Sequence, residues 1–361
     1  MRKTQVALAA LALVASTAAL AEVKISGCID VAVVNTDDGT SIGGQGDGCA
    51  SQWRLQASEE VAGMRAGINL EQGLNLYNGN VGNGGTTGSG AMFNRAANVF
   101  LGTEAATITV GTQLNPWIGG ALNGGAALSG INVPMLNILN PNLGAPAQAG
   151  GGFFLGGASI SGAANGISYT LFSSVNKSSY TAGTQGTAPA ADTLTAQNDR
   201  VVAGSIGTSL GNINLNVAYE SHSNTAATTQ VGYRNIAVSA NTTVAGARLT
   251  AIWTDQKQDA GKTGGTIYGA GSNTLSGLAL GASYPLSDAL TAGVMYAKND
   301  YTTAGKMASV YGNYALSART SVYAVFSDFT NAYLLNNGGT ASDYTVAKNT
   351  SLISIGMQHS F

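Results

Sequence analysis

The 361-residue sequence holds few side chains able to do chemistry. Its two histidines, His222 and His359, have no cysteine or carboxylate around them at the spacing of a metal site, which needs three or four converging ligands. No metal or cofactor is expected. A Ser/His hydrolase in a β-wall requires the pair on adjacent strands within hydrogen-bond reach, and Ser351 lies too far along the same strand from His359. Three tryptophans, Trp53, Trp117 and Trp253, suggest a stacking track for sugars. However, Trp53 and Trp253 share parity with apolar neighbours and read as packing or interfacial anchors. Trp117 differs, because it opens a long loop from which it can line a pore. The Gly-rich run 82–90 joins no strand to a helix start, so it is not a phosphate cradle. What remains is electrostatic: Asp30, Arg54, Arg65, Glu71 and Glu220 each alternate with apolar residues and read as a wetted wall.

Composition says what kind of wall. Charged residues are only 9% of the chain, against roughly 25% in an average soluble protein, while hydrophobic residues are an ordinary 44%. Fifty glycines, with abundant Asn, Ser, Thr and Ala, suit strands with one small-polar face and turns with unusual backbone angles. Residues 1–21 read as a secretory signal: Arg2 and Lys3, then the apolar run Val6 to Val14, then Ala19-Leu20-Ala21 before Glu22. Without Arg2 and Lys3 the chain has fourteen basic and eighteen acidic residues and a net charge near −4. No basic patch with interleaved aromatics points to nucleic acid. In an exported chain Cys28 and Cys49 are a candidate disulfide between the first strand and the end of the first loop. Two separate thiols remain the alternative, because sequence does not give the distance.

The segments follow a period of two. Strand nine is the clearest, with Ile213, Leu215, Val217 and Tyr219 against Asn214, Asn216, Ala218 and Glu220. The closing segment, Asn349 to Phe361, alternates likewise and ends on its aromatic residue. About sixteen such strands follow one another, with long loops after odd-numbered strands and short turns after even-numbered ones. No segment supplies the roughly 20 apolar residues of a membrane helix, and an open sheet edge in lipid leaves backbone groups unpaired. The expected fold is therefore all-β: a 16-stranded antiparallel transmembrane barrel, with short periplasmic turns and long external loops. Tyr219, Tyr284, Tyr296, Tyr314, Tyr323 and Phe361 fall near strand ends, where interfacial girdles sit. One domain, residues 22–361, is expected.

The segments Ser51 to Gly63 (SQWRLQASEEVAG), Phe93 to Pro116 (FNRAANVFLGTEAATITVGTQLNP) and Tyr314 to Tyr323 (YALSARTSVY), with the terminal Phe361, resemble the general trimeric porins of Gram-negative bacteria, especially those of beta-proteobacteria. The resemblance implies a homotrimer in the outer membrane, in contact with its lipid and lipopolysaccharide. It further implies a third loop, residues 114–152, folded into the lumen as a constriction, and Phe361 as a signal to the barrel-assembly machinery. The activity implied is passive diffusion of small hydrophilic solutes. Arg54 and Arg95 match basic wall positions, although Val99 and Leu101 share the parity of Arg95. The chain also departs from the pattern: residues 105–176 contain no Asp, Glu, Lys or Arg, and Cys28 stands where relatives can be basic. A constriction with a neutral loop and few arginines implies weak selectivity leaning to anions. The alternatives are a channel selective for neutral solutes and a surface adhesin without a pore.

Overall fold

The computed structural model describes residues 22–37, 39–43, 48–74, 76, 93, 95–122, 154–174, 178–181, 193–196, 199–224, 231–258, 274–300, 305–332 and 348–361. The expected signal segment, residues 1–21, and most of the expected constriction loop lie outside them. Sixteen strands form the wall: β1 (Glu22–Thr36), β2 (Gln52–Val61), β3 (Met64–Gly73), β4 (Ala96–Gly102), β5 (Thr107–Leu114), β6 (Phe154–Ala164), β7 (Ile167–Ser173) and β8 (Asp199–Leu210). The second half comprises β9 (Ile213–Asn224), β10 (Val231–Val244), β11 (Ala247–Gln258), β12 (Thr274–Pro285), β13 (Leu290–Asn299), β14 (Lys306–Ala315), β15 (Thr320–Ala332) and β16 (Lys348–Ser360).

Each strand pairs antiparallel with the next, and β1 pairs with β16, so the sheet closes. The closure is staggered, as strand tilt in a barrel requires. The lower half of β1 pairs with β2 (Ser26 opposite Arg54), and its upper half with β16 (Asp30 opposite Gln358). Above its contact with β2, β1 folds back on a short strand, Gly39–Gly43. A second small hairpin, Ser178–Thr181 with Thr193–Ala196, stands between β7 and β8. Neither was legible in loops rich in Gly, Ser and Thr.

Alternation decides the two faces. Val99, Leu101, Ile108, Val110, Ile206, Val217, Trp253, Val294, Val310 and Ile355 are exposed, while inward neighbours such as Asn98, Ala218, Thr254, Met295 and Ser309 are buried. A soluble protein would leave so long an apolar band on the surface at the cost of aggregation; in a bilayer it is the solvated face. Tyr219, Tyr284, Tyr296, Tyr314 and Phe361 are outward and exposed, as expected of girdles. Tyr323 is a correction: it faces inward at 3% exposure, because its parity is that of Ser321 and Val325.

Tight turns follow the even-numbered strands. Ala62-Gly63, Asn165-Gly166 and Ala245-Gly246 all have positive φ at both residues, the two-residue turn whose twist matches that of the flanking strands. β10 stays paired through Val244, which leaves only Ala245-Gly246 for its turn. At the seam, the Gly27 and Phe361 backbones exchange hydrogen bonds of 3.0 and 3.1 Å. A Cβ on Gly27 would lie 2.5 Å from both the Phe361 ring and the Gln52 carbonyl oxygen. Gly27→Val should therefore lower unfolding stability in detergent by about 1–3 kcal/mol, whereas Ala308→Val, on an open outward position, should leave the urea midpoint unchanged. Equal midpoints for the two variants would contradict the seam packing.

Candidate functional site

The inward charges of β2 and β3 meet because Arg54 and Glu71 are cross-strand partners. Arg54 donates through Nε to Glu71 Oε2 at 2.8 Å, and its Nη2 contacts the same oxygen. Arg95 precedes β4 and escapes that strand's parity; its Nε donates to Glu71 Oε1 at 2.6 Å. The carboxylate is 3% exposed and Arg95 14%, while 45% of the Arg54 side chain remains open. Two guanidiniums thus share one carboxylate, and the open member is a cation. Near the periplasmic mouth, Arg65 donates to Ser58 Oγ at 3.0 and 2.8 Å, with its guanidinium carbon 5.8 Å from the Phe100 ring centroid.

A second cluster sits at the closing seam. Asp30 Oδ2 accepts from the backbone amides of Gly48 and Cys49 at 2.6 and 2.7 Å, and Oδ1 accepts from the Tyr323 hydroxyl at 2.8 Å. The Asp30 backbone exchanges hydrogen bonds with Ser51 Oγ. Cys28 and Cys49 are disulfide-bonded, Cα to Cα 6.5 Å, so the end of the first loop is held covalently on the inner wall. Asp30, Glu71 and Glu220 are therefore not the wetted wall expected of them; exposure is 0%, 3% and 0%. Parity gave their side of the sheet and could not show that loop amides and a tyrosine would cover Asp30 and two arginines Glu71, or that Asn235 would donate to Glu220. Gly48 and Ser51 were missed altogether, and Tyr323 was expected in a girdle instead. No local pattern joins Tyr323 to Asp30, because only closure of the sheet brings them together.

Trp117 begins a π-helical turn, Trp117–Leu122, that leaves β5 and packs inside the barrel on β8, β9 and β10. Its backbone amide donates to Asn115 Oδ1 at 3.0 Å. With Ile118 it is wholly buried in a cluster that includes Ala218, Ala237 and Ile252. Trp117 was expected as a pore-lining side chain. The fully buried ring is instead an anchor, and its Nε1 has no hydrogen-bond partner. Gly120 rests so close to Ser205 that a Cβ there would collide. Among the described residues no cluster of His, Cys, Asp and Glu could hold a metal.

The Gram-negative porin family model matches residues 7–332. The chain belongs to the Gram-negative porin family. Solved structures share the fold of this porin. An anion-selective porin from Comamonas acidovorans aligns with TM-score 0.72 at 18% identity, over 94% of this chain and all of that one. OmpT, an outer membrane protein of Vibrio cholerae, aligns with TM-score 0.65 at 13% identity, over 96% and 99%. Salmonella typhi OmpF, in complex with daunomycin, aligns with TM-score 0.61 at 12% identity, over 94% and 98%. No curated protein sequence matches the chain. The porin is a channel former of the outer membrane, and the closed wall described above is its conduit.

Removing the anchor ring should act on the lumen. Trp117→Ala should cost about 3–5 kcal/mol of the loop's attachment and enlarge the single-channel conductance. Trp117→Phe, which drops the unpartnered Nε1, should change stability by less than about 1.5 kcal/mol and leave conductance at the parental value. Unaltered conductance in Trp117→Ala would show that the turn does not shape the lumen.

Proposed function

We propose that this porin passes small hydrophilic solutes and ions by passive diffusion, with a weak preference for anions set on the wall by Arg54 and Arg95. The observation that carries this reading is the sharing of Glu71 between two guanidiniums, one of them half open to the lumen. A carboxylate between two cations leaves a net positive site, and Arg54 is where a permeating ion meets it. The other inward acids are closed off, Asp30 under Tyr323, Gly48 and Cys49 and Glu220 beside Asn235. Charge at a narrow, poorly hydrated point biases permeation more than charge in bulk water. The Comamonas acidovorans neighbour, an anion-selective porin, agrees with that sign. Arg65 adds a cation near the periplasmic mouth, and residues 114–152 form the constriction that begins at the Trp117 anchor.

The working unit on this reading is a homotrimer set in outer-membrane lipid and lipopolysaccharide. The strand ending at Phe361 is its signal to the barrel-assembly machinery, with residues 1–21 removed on export. The protein is not assigned a reaction; its work is permeation.

The zero-current potential across a planar bilayer under a KCl gradient tests the sign. The parent should show modest anion preference, Arg54→Gln should bring it toward neutrality, and Glu71→Gln should strengthen it. Leaving two arginines on an uncharged partner should also cost Glu71→Gln about 1–3 kcal/mol of stability. A strong cation preference in the parent would overturn the reading. Silence in the bilayer would favour a surface role without a pore, and steps closed by one neutral sugar would favour a selective channel.

A further inference from the structure

Among the described inward side chains, the rings of Phe172, Tyr311, Tyr323 and Phe329 are sealed, each no more than 3% exposed. Phe100, on β4 near the periplasmic mouth, is only half-buried. Register accounts for its position. It lies opposite Gly67 on β3 and Thr109 on β5, and the ring leans over the glycine, where a Cβ would come 2.7 Å from the ring Cζ. With no side chain beneath it the ring lies low on the wall, and the lumen reaches what the wall does not cover.

Arg65 stands on the same face of β3, and across β2 the register offers it Glu60. The guanidinium turns elsewhere. Nε and Nη2 both donate to Oγ of the buried Ser58, at 3.0 and 2.8 Å, and its carbon sits 5.8 Å from the Phe100 centroid. Among the described residues Arg65 makes no ion pair. A guanidinium has five N–H donors in one plane. Ser58 takes two of them, which leaves the end-on fork of Nη1 and Nη2 free beside an accessible ring. Such a fork matches the two oxygens of a carboxylate.

The surrounding charges decide which carboxylate can stay. Glu22 and Lys24 have the inward parity of β1 at the same mouth, so Lys24 and Arg65 stand against Glu22 and Glu60, all four exposed. Glu59 has outward parity, and Glu104 lies in the turn after β4. Exposed charges of mixed sign are screened within about 8 Å, and this mouth has no positive excess to hold a bare anion. A solute is retained only if it also brings a flat apolar body to the ring.

We propose that Arg65, Ser58 and Phe100 form an exit subsite for aromatic carboxylates, the carboxylate on the free fork and the ring of the solute against Phe100. Ser58 fixes the fork, and Arg65 supplies the charge. Phe100 separates a planar ring from an aliphatic body, because an aromatic pair is worth more than the area it buries. Arg65 precedes Glu71 by six residues along β3, about 20 Å, so the subsite is separate from the Arg54 site. It rests on the diffusion reading above and adds a preference among anions.

Single channels of the full-length porin in a planar bilayer test this, with benzoate, cyclohexanecarboxylate and acetate added to either side. Benzoate should interrupt the current, cyclohexanecarboxylate more weakly and acetate not at all. Block from the periplasmic side should depend little on voltage, since a solute reaching Arg65 from there crosses little of the field, and block from the external side steeply. Phe100→Leu should weaken benzoate block about fivefold and leave cyclohexanecarboxylate block at the parental level. Arg65→Gln should weaken benzoate block about tenfold. Should either fail to fold, Ser58→Ala, which frees the fork to swing, should still weaken it about threefold. Equal block by benzoate and cyclohexanecarboxylate would overturn the proposal, as would parental block in Phe100→Leu or Arg65→Gln. Equal voltage dependence from the two sides would also overturn it, by placing the solute at mid-height. The zero-current potential in KCl answers separately for the diffusion reading. If the bilayer is silent, benzoate contacts seen by ligand-observed NMR in detergent, in the same rank order among variants, still judge the subsite.

Discussion

Everything in this porin follows from a backbone that cannot be left unpaired in hydrocarbon. Each unsatisfied amide or carbonyl in lipid costs several kcal/mol, so a sheet that enters a membrane must find a partner for its last strand. Here the first strand is that partner. The β1–β16 ladder runs from Cys28 opposite Ser360 to Thr36 opposite Leu352, and the Gly27–Phe361 exchange extends it to the final residue. Closure then fixes the division of faces. Apolar side chains are left outside, small and polar ones inside, and every charge near the middle must be neutralised or placed where water reaches it.

The sparse inner charges show how that constraint is met. Glu71 lies between two arginines, and Asp30 takes two loop amides and a tyrosine hydroxyl. The inward acids Asp30, Glu71 and Glu220 are buried, while Arg54 stays half open. The disulfide and the Trp117 turn bring two connecting segments onto the inner wall by different means, one covalent and one by apolar burial. In a chain whose residues 105–176 hold no charge, an apolar anchor for the third loop is the available solution.

Much of this was legible in the sequence because strand period is local. Ile213 to Tyr219 and Ile353 to Phe361 announce their outward faces residue by residue, and the unequal loops gave strand count and polarity. Strand ends were less legible. β15 continues to Ala332, because pairing persists where composition has already turned polar. Relations across the ring were not legible at all. Tyr323 and Asp30 are 293 residues apart, and nothing short of closure brings them together. Arg95 was ambiguous for a related reason: it lies one residue outside its strand, where parity no longer constrains the side chain. The Trp117 burial depends on β8 to β10, which the sequence does not place under that loop.

Amide hydrogen exchange resolved at the closing seam tests the central claim most directly. Amides of β1 from Cys28 to Thr36 and of β16 from Leu352 to Ser360 should exchange as slowly as those paired between β10 and β11. Rapid exchange confined to β1 and β16, the signature of two open edges, would contradict a closed wall and with it the channel.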